Sequence, residues 1–313
     1  MNQYKKIWRL LGGAKTIVIA RHVGPDPDCL GAQFALRDVL KQEFPNKNIY
    51  AIGAINSKQK YLGKLDKLND EELEKDCLVV LDTPNIDRID GVPDITLYKN
   101  IIKIDHHEFI EDFGGVELVD VSAGSTCMLI YNLFTANKIV LNNEIATLLY
   151  TGVVSDTNRF LYNVDANTFK KMYELLTSYS IDTDSLYKQM YLRTIDDFRF
   201  QGYIMSNMKM TEEGLMYIEI SAEELKEFKA EKIGALINEL AYIEGVKIRC
   251  IIVEDANQKV FKVFVRSEGV IINDILEQFG GGGHTHAAGV RLKDNAVIPD
   301  LLEVLKARCI GEV

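Results

Sequence analysis

The chain is predicted to be an α/β protein in two parts, a mostly parallel-sheet region followed, through a helical connector, by a smaller α/β domain. Three observations predict this. Its 313 residues exceed the usual reach of one hydrophobic core. The first half alternates short β-branched runs with helically spaced ones, the pattern of strand–helix–strand units. The last third starts afresh with strands and ends on a helix after a glycine-rich segment.

Residues 16–22 (TIVIARH) read as the first strand, and residues 30–44 carry helical apolar spacing that closes before Pro45. Runs at 49–52, 77–82 (CLVVLD) and 101–105 (IIKID) read as buried strands separated by helical or polar segments, which favours a parallel sheet. From Ser125 the pattern is helical through STCMLIYNLF, NNEIATLLYTGVVSD and NTFKKMYELLTSY, and residues 184–209 continue as a connecting helix. A second set begins near Leu215: LMYIEIS, a helix over 231–243, paired strands VKIRCIIVE and VFKVFVRS, a short helix INDILEQF, the stretch GGGGHTHAAGV and a last helix. Domains are therefore expected at 1–185 and 213–313, joined by a connector at 186–212. The acidic run DEELEKD at 70–76 reads as a solvated helix face.

A formal net charge of -10 argues against a protein that coats long nucleic acid, which needs a broad cationic surface. A small anionic substrate held by metals and a few local cations remains compatible. The five cysteines are scattered and form no CxxC pair, so neither a disulfide framework nor a zinc knuckle is indicated, and a reducing cytoplasm fits best. No signal-peptide core is evident, and no apolar run approaches the roughly 20 residues that span a bilayer.

All five histidines fall in three polar clusters: His22 in RHVGPDPD, His106 and His107 in DHH, and His284 and His286 in GGGGHTH. His22, Asp26 and Asp28 lie between a strand and a helix, where alternate aspartates could serve neighbouring metal centres; DPD alone could equally be an Asp-rich turn or a helix N-cap. Asp82 ends one strand, Asp105, His106 and His107 end another, and Asp156 follows an apolar helix. Ligands of open α/β sheets bind beyond the carboxyl ends of strands, where these groups converge. Mixed imidazole and carboxylate donors suit a borderline divalent ion, Mn²⁺ first. In the C-terminal cluster, Gly280 to Gly283 could bring backbone amides close to a phosphate, with His284 and the forked donor Arg266 adding to them, or could form a plain flexible turn.

These motifs, RHVGPDPDCLGAQ, VVLDT, KIDHH, VVSDTNRFLY and FGGGGHTHAAG, stand in the order and spacing of a known family. The chain resembles the DHH phosphoesterases, in particular the two-domain DHH/DHHA1 subgroup of bacterial nanoRNases, 3'-phosphoadenosine 5'-phosphate (pAp) phosphatases and phosphodiesterases of linear di-adenylate. The resemblance runs from about residue 16 to about residue 291. It implies that His22, Asp26 and Asp82 bind one metal and that Asp28, Asp82, His106 and Asp156 bind the other, with Asp82 bridging. It places His107 at the scissile phosphate, has Asp105 orient a ligand histidine, and assigns substrate contacts to Arg159, Arg266, Gly281, Gly282, Gly283, His284 and His286. Asn158 and His286 depart from the residues common in relatives. Ser122 and Ser125 match a small polar segment whose alternative role is helix capping.

The implied reaction is hydrolysis of short oligoribonucleotides to mononucleotides, and of pAp to AMP and phosphate, by water activated between two ions roughly 3.5 to 4 Å apart. The resemblance implies that a cleft between the domains excludes duplexes and long polymers. Linear pApA or cyclic di-AMP would use the same site. A noncatalytic nucleotide sensor is a reading of another class, disfavoured because the apparent ligand set is complete. No membrane association is expected, and a homodimer is open to the chain.

Overall fold

The computed structural model describes residues 3–68, 74–228 and 236–311. They form two compact units, Met1–Tyr191 and Leu192–Val313.

The first unit is built on a parallel five-stranded sheet in the order β2-β1-β3-β4-β5, with β1 (Thr16–Arg21), β2 (Asn48–Ala51), β3 (Cys77–Leu81), β4 (Asn100–Asp105) and β5 (Val116–Val119). The inner strands β1 and β3 are buried on both faces, which explains their unbroken apolar runs. Ile17, Ile19, Val79, Leu81, Ile102 and Ile104 face one way, into the core shared with α1 (Gln3–Gly13), α2 (Pro27–Glu43), α3 (Thr126–Ala136), α4 (Asn143–Asp156) and α5 (Ala166–Ser178). Val18, Ala20, Leu78 and Val80 face the other way. That second face is covered by Ile52, Ile89, Ile95 and Tyr98, from irregular chain and single 3₁₀ turns. The segments between strands are expected to be helical or polar, and between β3 and β4 two short 3₁₀ turns make the crossover.

Two sequence expectations change here. The connecting helix over 184–209 is two helices, α6 (Thr183–Tyr191) and α7 (Ile195–Asn207). The break falls at Thr194, whose side chain caps α7 in a capping box with Asp197. Of the acidic run at 70–76, residues 70–73 lie outside the described residues, and 74–76 run as irregular chain into β3.

The second unit is a six-stranded sheet in the order β10-β11-β9-β8-β7-β6. It comprises β6 (Lys209–Met210), β7 (Leu215–Ile220), β8 (Ile248–Asp255), β9 (Val260–Ser267), β10 (Gly282–His284) and β11 (Ala287–Leu292), with β7 and β8 parallel and the other pairs antiparallel. One face packs α9 (Asn273–Gln278) and α10 (Ile298–Cys309), and the other packs α7 and α8 (Ala222–Phe228). Of the helix expected over 231–243, residues 231–235 lie outside the described residues; Leu236 is helical and leads into a 3₁₀ turn, Ile237–Leu240. The glycine segment is not a flexible loop: Gly282 to His284 pair with β11 as an antiparallel hairpin.

Candidate metal centre

The strand order 2-1-3-4-5 places the topological switch between β1 and β3, where one crossover runs to each side and the strand ends splay into a crevice. His22 leaves β1 there, Asp82 follows β3, and His106 and His107 follow β4. The buried Arg21 guanidinium anchors this edge, bonding the His22 carbonyl at 2.9 Å, the Ala54 carbonyl and the Asp90 carboxylate.

Asp26 serves both readings of the DPD loop. Its Oδ1 accepts the Cys29 amide at 2.9 Å as the N-cap of α2, while its Oδ2 lies 3.4 Å from His22 Nε2. Asp82 has φ +54, an unusual left-handed backbone for a non-glycine residue, and it aims its two oxygens at different histidines. Oδ2 is 3.4 Å from His22 Nε2, and Oδ1 is 3.4 Å from His106 Nε2. His106 Nε2 also lies 3.2 Å from Asp156 Oδ2, at the end of α4. Asp28 is fully buried at the N-terminus of α3, accepting the Thr126 and Cys127 amides at 2.7 and 2.9 Å. Helix amides and dipole there stabilise a carboxylate.

The orienting partners differ from expectation. Asp105 holds His107, with Nδ1 at 2.6 Å from Oδ1, whereas the candidate ligand His106 is held by the Ala123 carbonyl at 3.1 Å from Nδ1. The second oxygen of Asp105 is buried without a hydrogen-bond partner among the described residues. His107 Nδ1 is also 3.5 Å from Asp82 Oδ1.

His22 Nδ1 lies 3.0 Å from the Val23 carbonyl. Carbonyls only accept, so Nδ1 of both His22 and His106 carries a proton, and each Nε2 faces carboxylates, which is repulsive unless a proton or cation lies between. Burial opposes a charged His22, yet the carboxylates of Asp26 and Asp82 raise it far above the usual imidazole range. His106 is raised in the same way, against burial, by Asp82 and Asp156. Burial, then the charge of Asp82, pushes Asp28 up to about 7. Burial raises Asp156 as well, with Asp28 and Asp82 adding to it against the pull of His106. Asp82 is the exception: burial would raise it, but the imidazoles of His106 and His22 hold it well below the carboxylate range. Buried negative charge, with nitrogen and oxygen donors converging, fits divalent cations. Three such sets, His22–Asp26–Cys29–Asp82, Asp82–His106–His107 and Asp28–His106–Asp156, each offer ligand atoms within 4.8 Å of one another.

Sequence reasoning missed Thr126, whose hydroxyl donates to Asp82 Oδ1 at 2.9 Å, and Cys29. Cys29 could have been found from its place three residues after an N-cap aspartate. Ser125 and Ser122 make local caps, Ser125 to the Met128 amide and Ser122 to Asp120.

The remaining candidates lie in two places. Asn158 and Arg159 follow Asp156 in a left-handed run, φ +45 and +63, a backbone that asparagine adopts more readily than most residues other than glycine. The Arg159 guanidinium lies 5.0 Å from the Tyr191 ring centre. In the second unit, His284, Ala287, Arg266 and Arg249 form one cross-strand row. Arg266 Nε donates to Asn238 Oδ1 at 2.9 Å. His286 Nδ1 is spent locally, 2.9 Å from the Val270 carbonyl. The amides of Gly280 and Gly281 are likewise taken, by the last carbonyls of α9, while Gly282 and Gly283 lie in β10 at the sheet edge.

Known families match both units. Residues 16–153 match the DHH family, N-terminal domain, and residues 218–311 match the DHHA1 domain. The chain belongs to the DHH family, in the branch that carries a DHHA1 domain. It is 34% identical to the bifunctional oligoribonuclease and PAP phosphatase NrnA of Bacillus subtilis (strain 168), over 88% of this chain and 89% of that protein. It is 32% identical to the probable protein of the same name from Streptococcus mutans, over 98% and 99% of the two chains. A crystal structure described as an exopolyphosphatase-related protein from Bacteroides fragilis superposes with a TM-score of 0.86 at 27% identity, covering 99% of this chain and 98% of that one.

Proposed function

We propose that this DHH-family hydrolase is a metal-dependent phosphodiesterase that degrades short oligoribonucleotides to mononucleotides and converts pAp to AMP and phosphate. The observation that carries the reading is the Asp82 carboxylate, which offers one oxygen toward His22 and the other toward His106. A bridging aspartate between two donor sets is what a two-cation phosphodiesterase requires, and Mn²⁺ suits this mixture of imidazole and carboxylate. Bound there, the cations would supply charge neutralisation at phosphorus and an activated water.

The residues themselves do the positioning. Val23 and Ala123 fix the tautomers that leave Nε2 of His22 and His106 for the cations, and the α3 amides favour the ionised form of Asp28, offsetting part of the rise that burial causes. Asp105 keeps the Nδ1 proton of His107 in place and steadies the ring, so that the other nitrogen, when it also carries a proton, can donate to a non-bridging or leaving oxygen of the phosphate. We assign the cation chemistry to residues 1–185. Nucleotide contacts are assigned to Arg159 and, across a connector at 186–212, to the domain at 213–313, through Arg266, His284 and the edge-strand glycines. The free, buried state of all five cysteines supports a cytoplasmic setting.

The test is turnover of pAp, pApA, cyclic di-AMP and RNAs from dinucleotides upward, with Mn²⁺ and with chelator. Rates that fall steeply with RNA length and vanish with chelator are expected. Equal rates on long RNA would overturn the short-substrate reading, and undiminished rates in chelator would overturn the cation chemistry.

A further inference from the structure

One side chain in the centre is neither imidazole nor carboxylate. Cys29 is the third residue of α2, a position from which a side chain turns back over the N-cap. Its Sγ accepts the Asp26 amide at 3.3 Å and lies 3.4 Å from the Asp26 carbonyl, so its place is fixed by the cap itself. It is fully buried. There it joins a ring nitrogen of His22 and carboxylate oxygens of Asp26 and Asp82 in a four-donor set whose ligand atoms lie within 4.8 Å of one another. The second thiol of the region behaves differently. Cys127 Sγ is turned to the backbone carbonyls of Asp28 and Leu148, and the donor set around Asp28 does not include it.

We propose that Cys29 is a sulfur donor to the His22–Asp26–Asp82 cation position and gives that position, but not the Asp28–His106–Asp156 position, a preference for thiophilic divalent cations such as zinc, cadmium or cobalt. Thiolate sulfur strengthens selection of such cations, whereas carboxylate oxygens suit manganese and magnesium. The two halves of the centre are therefore chemically inequivalent, one with nitrogen, oxygen and sulfur donors and the other with nitrogen and oxygen alone. On binding, the sulfur exchanges its proton for the cation, and one proton passes to solvent. The proposal rests on the reading of this crevice as a cation centre, and the experiment separates the two.

Full-length protein is stripped of metal with chelator and titrated with Cd²⁺, following sulfur-to-cadmium charge-transfer absorption in the ultraviolet, alongside Cys29→Ser, Cys29→Ala and Cys127→Ala. The expected result is a band in the wild type and in Cys127→Ala that saturates at one cadmium per chain and is missing from both Cys29 variants. Serine keeps a polar cap but removes the soft donor, so in Cys29→Ser the preference for Cd²⁺ over Mn²⁺ falls by about tenfold or more. A wild-type protein that takes up cadmium with no sulfur band, or a band that survives in Cys29→Ser, overturns the proposal. Should the variants fail to fold, cadmium NMR of the wild type decides, because a sulfur-bound resonance is well separated from one held by oxygen and nitrogen alone. Wild-type protein that binds no divalent cation at all would overturn the cation-centre reading itself.

Discussion

At Asp82 the chain accepts a left-handed backbone, φ +54, immediately after a strand. Such a conformation costs a non-glycine residue about 1–2 kcal/mol, and it is held because the carboxylate then meets His22, His106 and Thr126 together. Asp82→Asn preserves this shape while removing the bridging charge. Its kcat/KM should fall well beyond the roughly 10–100-fold that loss of an outer-shell partner costs, whereas Asp105→Asn should fall within that range; steady-state kinetics on pAp measures both. The buried charges also predict how the metal-free protein responds to pH. Asp28 is raised to about 7, so its stabilising protonated form is complete below the unfolded carboxylate pKa and is lost as pH rises through the folded value. The raised imidazoles act in the same direction above their unfolded pKa. The melting temperature in chelator should therefore drop as pH rises from about 5 to about 8, and saturating Mn²⁺ should abolish the drop; a chelated protein that melts higher at the alkaline end would contradict this account of the centre.

Among the elements, α2 carries Asp28 and α4 carries Asp156, and the two helices pack closely at Gly152. A Cβ on Gly152 of α4 would come 2.2 Å from Cys127 Sγ and 2.6 Å from Asp28 Oδ1. Gly152→Ala should thus destabilise the protein by about 1–3 kcal/mol through overpacking and weaken Mn²⁺ binding by displacing Asp28, read by thermal unfolding and by titration. Much at this scale was legible in advance. Strand ends carrying His22, Asp82 and the Asp105–His107 run follow from β-branched runs that stop at polar residues, and the structure brings these groups to one crevice. What was not legible has physical causes. The amides of Thr126 and Cys127 belong to the backbone and leave no mark on residue identity. The 3₁₀ turns over the second sheet face bury scattered single residues without helical period. The break before α7 did carry a signal, the Thr194–Asp197 capping box, which the apolar spacing on either side outweighed.

For the molecule as a whole, each unit has its own core, the first around β1, β3 and the helices of its sheet face, the second on both faces of its sheet. A chain ending at Tyr191 should therefore fold and bind divalent cations while losing turnover of dinucleotides, because the proposed contacts of Arg266 and His284 are gone. Circular dichroism, cation titration and a dinucleotide assay would check the three parts. The two-part architecture was readable because strand patterns restart after a helical stretch, whereas the glycine hairpin was not, since a run of glycines reads as a loop whether or not a partner strand pairs with it.

The most direct measurement of the central claim is the stoichiometry and magnetic coupling of Mn²⁺ in the full-length protein, by calorimetry with electron paramagnetic resonance. Two cations per chain, spin-coupled as expected for ions about 3.5–4 Å apart and reduced to at most one uncoupled ion in Asp82→Asn, are predicted. A single bound ion, or two that ignore each other and persist in Asp82→Asn, would contradict it.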